Sequence, residues 1–437
     1  MTCSAQPMKR TPSLQRSSAP GVVYGSALVA CVAIAWVSPS AAFFDSGELA
    51  TSAIELGVPH PTGFAIYNLL GHLAALLPLG SVGFRVNLLG VIATVIAAIL
   101  AWRLCAMAAL PSVPSPDSAR RPHSELWTLV GLTVGVVACA LSANVLGRHA
   151  ASAEVYPLVW VHALACGWIW ACNSGWGRVI GLSLLLGIGI ALHALSALFA
   201  GFFGLLALLS VLFVRRSTVA NERPLTWAVR PELPAVGALF TALLVIVVAA
   251  AALVYLPLAA HRPAAFSWGD VTTWRAFVDH VTAASIRAAF ADQMGGSALA
   301  AASSLVAGLW RDVGILAAAS LIGAAVLTRG ARKAAVAVTV LALVDAGYSI
   351  WINPMGLRDE QCAGVLTLIL LGLAAVGFQH VAGLVLSRGS ATAAGRLAAV
   401  CLSVVGGVSL MSSRFVVGAA ERRAAPSLIA ATLAATP

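Results

Sequence analysis

Long apolar runs recur along the whole chain and limit what it can fold into more than any other feature. Several of them reach the roughly 20 residues that cross about 30 Å of hydrocarbon as a helix, and no alternating pattern indicates a barrel. Because 60% of the 437 residues are hydrophobic and only 10% are charged, the chain has too little polar surface for a water-soluble fold. The sequence predicts an all-α, polytopic transmembrane helix bundle of about 11 spans. The runs cover approximately residues 21–42, 84–108, 126–146, 154–172, 179–196, 197–214, 235–259, 312–328, 334–351, 363–384 and 397–413.

The net charge of +10 comes mostly from basic residues between these runs, where they orient helices in a membrane. We therefore expect the lipid bilayer as a partner and no nucleic acid. A cytoplasmic N-terminus puts every alternate basic loop on the cytoplasmic side, as in a bacterial inner membrane protein. The basic residues concerned are Arg120, Arg121, Arg178, Arg215, Arg216, Arg223, Arg230, Arg329, Arg332, Lys333, Arg388 and Arg396.

The same assignment divides the chain into a basic cytoplasmic tail (1–20), a transmembrane domain (21–413) and a short C-terminal tail (414–437). An alternative for the N-terminus is a signal peptide, because the small residues SPSAA at 38–42 suit a signal peptidase. The 179–214 region is either one long helix or two helices with a turn near Ser196.

Most acidic and histidine side chains fall on the opposite, external side, where two segments, 43–83 and 260–311, are long. Each segment contains an amphipathic or half-apolar piece, Phe64 to Leu79 and Trp274 to Phe290. Pieces of this kind are typical of helices that lie in the membrane interface. The residues able to do chemistry are therefore expected outside the cytoplasm.

The first external segment opens with two carboxylates, Asp45 and Glu48, three residues apart. On a continuing helix they share a face, and crowding raises the pKa of one of them toward the range of a general base. The alternative is a solvated helix end. The Val-Pro-His-Pro stretch that follows favours a site, since Pro59 and Pro61 hold His60 in an extended loop.

Three further clusters flank predicted spans on this side, and each is suited either to substrate or to anchoring a helix at the headgroups. Two ionisable residues, Asp345 and His193, lie inside apolar runs. For both we expect a structural hydrogen bond rather than contact with substrate. The clusters are His261, Arg262, Trp268 and Asp270; Arg148, His149, Glu154 and Tyr156; and Arg358, Asp359 and Glu360.

Cysteine spacing gives no sign of a metal site, because the eight cysteines include no Cys-x-x-Cys pair and lie mostly in apolar segments. We expect no required cofactor. A divalent cation on Asp45 and Glu48 stays open, although two carboxylates alone are weak evidence for one.

Several strings in order along the chain resemble the protein O-mannosyltransferase-like membrane family. The first is DSGELATSAIELGVPHPTG at 45–63, and the similarity runs from about residue 22 to 375. His-Pro-Thr-Gly replaces the usual His-Pro-Pro-Gly of that family, and Glu360 stands where a histidine or an aromatic residue is more typical. The later strings are FRVNLLG (84–90), EVYPL (154–158), GLSLLLGIGIALH (181–193), YLPLAAHRP (255–263), WGD (268–270), HVT (280–282) and RDE (358–360).

The resemblance implies a GT-C glycosyltransferase, which takes sugar from a polyprenyl-phosphate donor outside the cytoplasm and transfers it to a protein, glycan or lipid acceptor. It implies mannose as the sugar and carries the acidic catalytic residue of the first external loop to Asp45, with Glu48 beside it. The residues themselves agree with inverting transfer, since a phosphate leaving group needs one base and cations to hold it. The predicted phosphate-binding residues are Arg358, Arg262 and Arg148, and the predicted pocket residues are His60, Glu154, Tyr156, His261, Trp268, Asp270 and Asp359.

Two other functions suit the same external cluster: a transporter, flippase or binding protein for a lipid-linked sugar, and a non-catalytic assembly protein. Transporters tend to bind substrate at the bilayer midplane within internal repeats, whereas the charges here crowd at one face and the sequence shows no repeat. Exchange of Asp45 for Asn separates the assembly protein from both others, because an assembly protein leaves the external carboxylates dispensable, whereas a carboxylate-dependent reaction should fail while the fold survives.

Overall fold

The computed structural model describes residues 19–39, 45–109, 122–217, 235–263, 267–294, 296–386 and 391–413. Within these ranges the regular structure is entirely helical, which confirms the predicted all-α class. Outside them lie the predicted C-terminal tail, residues 1–18 of the N-terminal tail, and much of the SPSAA stretch. Five of the basic residues used to assign topology are outside them as well: Arg120, Arg121, Arg223, Arg230 and Arg388.

Helices of very different lengths follow one another along the chain. They are α1 (Ala19–Ile34), α2 (Ser46–Glu55), α3 (Ala65–Ala75), α4 (Val82–Ala109), α5 (Pro122–Ser142), α6 (Asn144–Ala150), α7 (Tyr156–Cys172), α8 (Gly175–Leu192), α9 (Ala194–Ser217), α10 (Ala235–Ala250), α11 (Tyr255–Ala260), α12 (Trp274–Val281), α13 (Ala284–Ala289), α14 (Ala291–Met294), α15 (Ala298–Val313), α16 (Leu316–Ala325), α17 (Arg332–Gly347), α18 (Met355–Arg358), α19 (Gly364–Val385) and α20 (Ala391–Met411).

Seven of the described helical stretches are long and apolar enough to cross a membrane, and the number rises to nine if two bent pairs each form one span. In one pair α5 meets α6 at 91°, and in the other α15 meets α16 at 105°. The chain is therefore a polytopic helical bundle, and the count of about 11 spans stays a prediction. The 179–214 region consists of two helices, and the break falls at His193 rather than near Ser196.

The core of the bundle forms around α4, which packs against α7 and α19, while α5 packs against α20. Helices α16 and α19 approach most closely at two glycines. A Cβ on Gly323 would lie 2.0 Å from the carbonyl oxygen of Leu373, and one on Gly377 would lie 2.0 Å from that of Ala319. Small residues at such crossings let helix backbones touch where no hydrophobic force drives packing within lipid.

The two pieces predicted as interfacial helices are helical, with internal boundaries that periodicity did not reveal. The first is the single helix α3, and the second divides into α12 and α13, with α14 following directly after it. Thr273 begins α12 by accepting a hydrogen bond from the Ala276 backbone N–H (3.2 Å), and Ala283, with φ of 53°, separates α12 from α13. Helix α15 was not anticipated, because the sequence placed most of it in the external segment 260–311. Gly314, with φ of 52°, stands at its end.

Candidate active site

Segments between the helices converge on a cavity of about 630 Å³. This volume falls within the roughly 300–1,000 Å³ typical of small-molecule sites. Its charged lining residues all come from segments that the charge pattern assigned to the non-cytoplasmic side. The polar and aromatic lining residues are Asp45, Glu48, His60, Thr62, Phe64, Glu154, Tyr156, His193, Trp268, Thr282, Arg287, Phe290, Tyr348, Asn353, Asp359 and Gln361.

Asp45 lines the cavity from the position just before α2, and its side chain does not cap that helix. Burial raises the pKa of Asp45 above its ordinary value, and the nearby carboxylates of Glu154 and Glu48 raise it further. The charges of His60 and His149 act in the opposite direction without cancelling the shift. A carboxylate whose pKa is raised holds a proton more tightly, which is the property of a better general base.

Glu48 uses both carboxylate oxygens to hold His60. One oxygen accepts a hydrogen bond from the His60 backbone N–H at 2.7 Å, and the other lies 2.8 Å from the ring Nδ1. The prolines on either side extend the loop and present His60 to the carboxylate. The Glu48 side chain is therefore committed to fixing this loop.

Aromatic rings and a carboxylate surround the imidazole of His60. The rings of Phe64 and Trp268 meet it edge-on, with centroids 4.9 Å and 5.9 Å away. Burial in this setting lowers the pKa of His60, but the hydrogen bond and charge of Glu48, assisted by Asp45 and Glu154, raise it overall. The raised pKa favours the protonated form of His60, whose positive charge opposes the negative charge of the neighbouring carboxylates.

Glu154 lies on the short connection between α6 and α7 and faces His149. The carboxylate is 3.7 Å from His149 Nδ1, and the other ring nitrogen, Nε2, lies 2.7 Å from the backbone carbonyl of Glu360. A carbonyl only accepts hydrogen bonds, so Nε2 carries a hydrogen. Through these two contacts His149 connects Glu154 of the EVYPL segment with Glu360 of the RDE segment, which are far apart in sequence.

Two arginines hold Glu360 behind the cavity wall. Arg148 contacts one carboxylate oxygen at 3.4 Å and Arg311 the other at 3.3 Å, and Arg148 also donates to the Asp359 carbonyl at 3.0 Å. Because Glu360 is buried, the pair of cations compensates a charge that would be costly to leave alone. Arg148 therefore fixes the loop that carries Asp359.

His193, at the break between α8 and α9, forms part of the cavity wall between two rings. Its imidazole stacks on Phe64 with centroids 5.7 Å apart and lies 5.6 Å from the ring of Tyr156. The Leu195 backbone N–H donates to Nδ1 at 3.0 Å, so the hydrogen of a neutral ring is on Nε2. The helix break that sequence reading put near Ser196 serves to turn this side chain into the cavity lining.

The structure brings seven of the predicted site residues to the cavity and leaves five outside its lining. Outside the lining, His261 bonds back to the Pro257 carbonyl at 2.7 Å, and Arg262, Arg358 and Asp270 are exposed. The seven lining residues are Asp45, Glu48, His60, Glu154, Tyr156, Trp268 and Asp359, and the five others are Arg148, Arg262, Arg358, His261 and Asp270.

Sequence reasoning missed Arg287, Tyr348, Asn353 and Gln361, and it favoured a structural role for His193. Arg287 lies in a half-apolar stretch whose helices are too short for a clear period, so its only signal is its presence in the external segment. Tyr348 begins a π-helical turn after α17, a local widening that often accompanies functional sites.

The described residues contain no group of three or more His, Cys, Asp or Glu side chains arranged to hold a metal ion. Asp45 and Glu48 are therefore not part of a group of this kind within the described residues. The expectation of no required cofactor stays a prediction.

The helices and the cavity define a polytopic helical membrane protein with a carboxylate-lined site between its helix ends. Residues 45–221, less than half of the chain, match the family model of the Protein O-mannosyl-transferase TMEM260 N-terminal domain. A segment of 58 residues is 53% identical to the mouse (Mus musculus) Protein O-mannosyl-transferase TMEM260. These findings confirm the predicted resemblance to the protein O-mannosyltransferase-like family.

The aligned segment covers 13% of this chain and 8% of the mouse protein. No solved structure matches the chain. The GT-C type predicted from the resemblance therefore stays a prediction.

Proposed function

We propose that this protein is a membrane glycosyltransferase of the GT-C type. It moves a sugar, with mannose as the first candidate, from a polyprenyl-phosphate donor to an acceptor hydroxyl on a protein, glycan or lipid at the non-cytoplasmic face. The observation that carries the proposal is the cavity in which Asp45 stands beside Glu154 and Glu48. The matched family model begins at Asp45, and the mouse relative is named an O-mannosyl-transferase.

Asp45 is the proposed catalytic base. Glu48 is a poor alternative because both of its oxygens contact His60, and Glu154 faces the buried His149. Asp45 lines the cavity, and its raised pKa suits it to accept a proton.

The reaction balances with one base. The acceptor oxygen attacks the anomeric carbon and loses its proton to Asp45, while the bond from that carbon to the phosphate oxygen breaks. The electron pair leaves with the polyprenyl phosphate, which changes from a singly charged diester to a more highly charged monoester. A direct displacement of this kind inverts the anomeric configuration.

The other cavity residues have supporting roles in this proposal. Glu48 fixes the loop that carries His60, while Tyr156 and Asp359 are positioned to meet hydroxyl groups of the sugar. Tyr156 is itself held by a hydrogen bond from its hydroxyl to Gln361 at 3.2 Å. Trp268 offers an aromatic face at the cavity, a common partner for the apolar side of a sugar ring.

The test is consumption of labelled polyprenyl-phosphate mannose and polyprenyl-phosphate glucose by purified protein in lipid, with a membrane extract as acceptor source. Transfer with inversion supports the enzyme, and the labelled fraction identifies the acceptor class. A product with retained configuration contradicts the single-base mechanism. If both donors bind and neither is consumed, a transporter or binding protein explains the cavity better.

A further inference from the structure

We propose that Arg287 binds the phosphate of the lipid-linked donor and that the apolar side chains beside it hold the first isoprene units. The inference deepens the proposed function and rests on it. It assigns to one residue of α13 the role that sequence reasoning gave to Arg358, Arg262 and Arg148.

Arg287 is the one lysine or arginine among the described residues that line the cavity. The three arginines predicted from sequence are absent from that lining. Arg148 is held by Glu360 and by the Asp359 carbonyl. Arg262 and Arg358 are exposed, as Arg287 is, but they lie outside the cavity lining. A phosphate group inside this cavity therefore has one fixed positive charge to meet.

Arg287 also forms no ion pair with a carboxylate in the described part of the chain, whereas neighbouring arginines do. Arg311 lies 3.3 Å from Glu360, and Arg275, on the preceding helix, lies 3.9 Å from Asp279. An arginine that lines a cavity without a protein anion has its planar, bidentate face free for a ligand, and phosphate oxygens match that geometry.

Four carboxylates line the same cavity as Arg287. Asp45, Glu48, Glu154 and Asp359 line the cavity, and a phosphate placed among them would meet like charges. The charged groups that act on the pKa of Asp45 are Glu154, His60, Glu48 and His149, and none of them belongs to α13. In this proposal the phosphate lies beside Arg287, and the sugar ring extends from it toward Asp45.

Apolar residues adjoin Arg287 on the cavity wall. Ile286 precedes it on α13, and Phe290, directly after the end of that helix, lines the same cavity. Ile352, which is 53% exposed, lines the cavity from the turn after α17. A guanidinium bordered by branched and aromatic side chains fits a phosphate that carries a hydrocarbon chain better than it fits a free, fully hydrated phosphate.

The attraction between Arg287 and the phosphate becomes stronger during the reaction. When the bond between the anomeric carbon and the phosphate oxygen breaks, the electron pair stays on that oxygen and the phosphate gains negative charge. A fixed cation stabilises this developing charge more than it stabilises the ground state, which accelerates transfer.

The experiment measures binding of undecaprenyl phosphate to the full chain in lipid nanodiscs, with wild type, Arg287→Ala, Arg287→Lys and Arg275→Ala. We expect Arg287→Ala to weaken binding about 10-fold to 100-fold, the effect of losing one charged hydrogen-bonded partner. Arg287→Lys should fall between, and Arg275→Ala should match wild type because its side chain is 93% exposed and outside the cavity lining. Equal binding by Arg287→Ala and Arg275→Ala overturns the proposal.

A competition assay distinguishes an isoprenoid phosphate from other phosphate-containing ligands. Inorganic phosphate and vesicles containing phosphatidic acid are added to the same assay, and we expect neither to displace undecaprenyl phosphate at equal concentration. Equal displacement by phosphatidic acid means a general site for anionic lipids and overturns the assignment to an isoprenoid donor. Size-exclusion profiles and melting temperatures of the variants show that each is folded.

A second arm keeps this proposal distinct from the proposed function. Asp45→Asn should bind undecaprenyl phosphate as wild type does and fail in sugar transfer. If the wild-type protein binds undecaprenyl phosphate through Arg287 but consumes no donor, the proposed transferase activity is contradicted and the proposed binding site is supported. If Arg287→Ala transfers sugar and binds undecaprenyl phosphate normally, the transferase activity is supported and the role of Arg287 in phosphate binding is rejected.

Discussion

Glu48 holds His60 by two contacts at once, 2.7 Å from its backbone nitrogen and 2.8 Å from its ring Nδ1. The contacts lock the loop between α2 and α3 against the cavity and place a titratable ring beside Asp45. They make Glu48 a positioning residue and leave Asp45 as the carboxylate available for chemistry.

The first prediction concerns the charge of His60. Glu48→Gln removes the charge that raises the pKa of His60, so this pKa should fall. The measurement is an NMR titration of the protein carrying labelled histidine, with His60→Gln used to assign the signal. Glu55→Gln, at the exposed end of the same helix, is the control and should leave the titration unchanged. An unaltered His60 pKa in Glu48→Gln contradicts this role.

The same shift predicts a pH dependence of stability. Since the pKa of His60 is raised in the folded protein, its stabilising contribution is complete below its ordinary value of 6.5 and is lost as the pH rises through the folded pKa. The melting temperatures of wild type and Glu48→Gln should therefore differ most at acidic pH and converge as the pH rises above neutral. If the difference in melting temperature instead grows as the pH rises, the pKa of His60 is not raised in the folded protein.

The second prediction is that Asp45→Asn is at least as stable as wild type. The pKa of Asp45 is raised in the folded protein, so its ionised form costs stability above its ordinary value of 3.8. Near pH 7 the variant should melt at the same temperature or a few degrees higher, because it no longer buries an ionised carboxylate. The gain should vanish as the pH approaches 4. A large drop in melting temperature would indicate a structural role for Asp45.

Much of this architecture could be predicted from the sequence because its causes are local. Apolar length alone predicts the helical bundle, and the acidic first segment is visible as Asp45, Glu48 and the Pro-His-Pro turn. The residues that line the cavity include seven that charge and motif order had already singled out.

What sequence could not supply depends on contacts between distant segments. The contact of Arg148 with Glu360 joins residues more than two hundred positions apart, and it diverts an arginine that looked suited to phosphate. Arg287 becomes notable only when α13 is folded against the cavity. The 91° bend follows Ser142 and the 105° bend follows Val313. Polar or charged residues stand beside both bends, Asn144 at the first and Asp312 at the second, but they do not by themselves show that the chain turns there.

The third prediction tests the close packing of α4 behind the site. A Cβ on Gly90 would lie 2.8 Å from the carbonyl oxygen of His149 and 3.0 Å from those of Ala150 and Ser152. Gly90→Ala should shift the segment that carries Glu154 and cost about 1–3 kcal/mol in the free energy of unfolding. Gly204→Ala, in α9 with no atom within 4 Å of its added Cβ, is the control. It should be neutral or stabilising, and equal effects of the two changes contradict the packing argument.

The fourth prediction concerns a buried hydrogen-bond network that joins the first external segment to α11. Asn68 accepts from the Ser52 hydroxyl at 3.2 Å and donates to the Gly57 carbonyl and the Tyr255 hydroxyl, each at 3.1 Å. Because Asn68 is fully buried, Asn68→Ala should lower the free energy of unfolding by about 1–3 kcal/mol.

Chemical denaturation in detergent measures this loss. The control is Thr51→Ala, which removes a single hydrogen bond to Gly47 within one helix and should cost less. If Asn68→Ala proves no more harmful than Thr51→Ala, the network does not hold these segments together.

The most direct test of the central claim, that Asp45 is the base of a sugar transfer, is the single-turnover rate from polyprenyl-phosphate mannose in lipid nanodiscs. The rate is measured for wild type, Asp45→Asn and Asp279→Asn, the last being an exposed aspartate outside the cavity lining. We expect Asp45→Asn to lose about 10²-fold to 10⁴-fold, the typical contribution of a general base, with Asp279→Asn close to wild type. Transfer by Asp45→Asn at the rate of Asp279→Asn would contradict the claim.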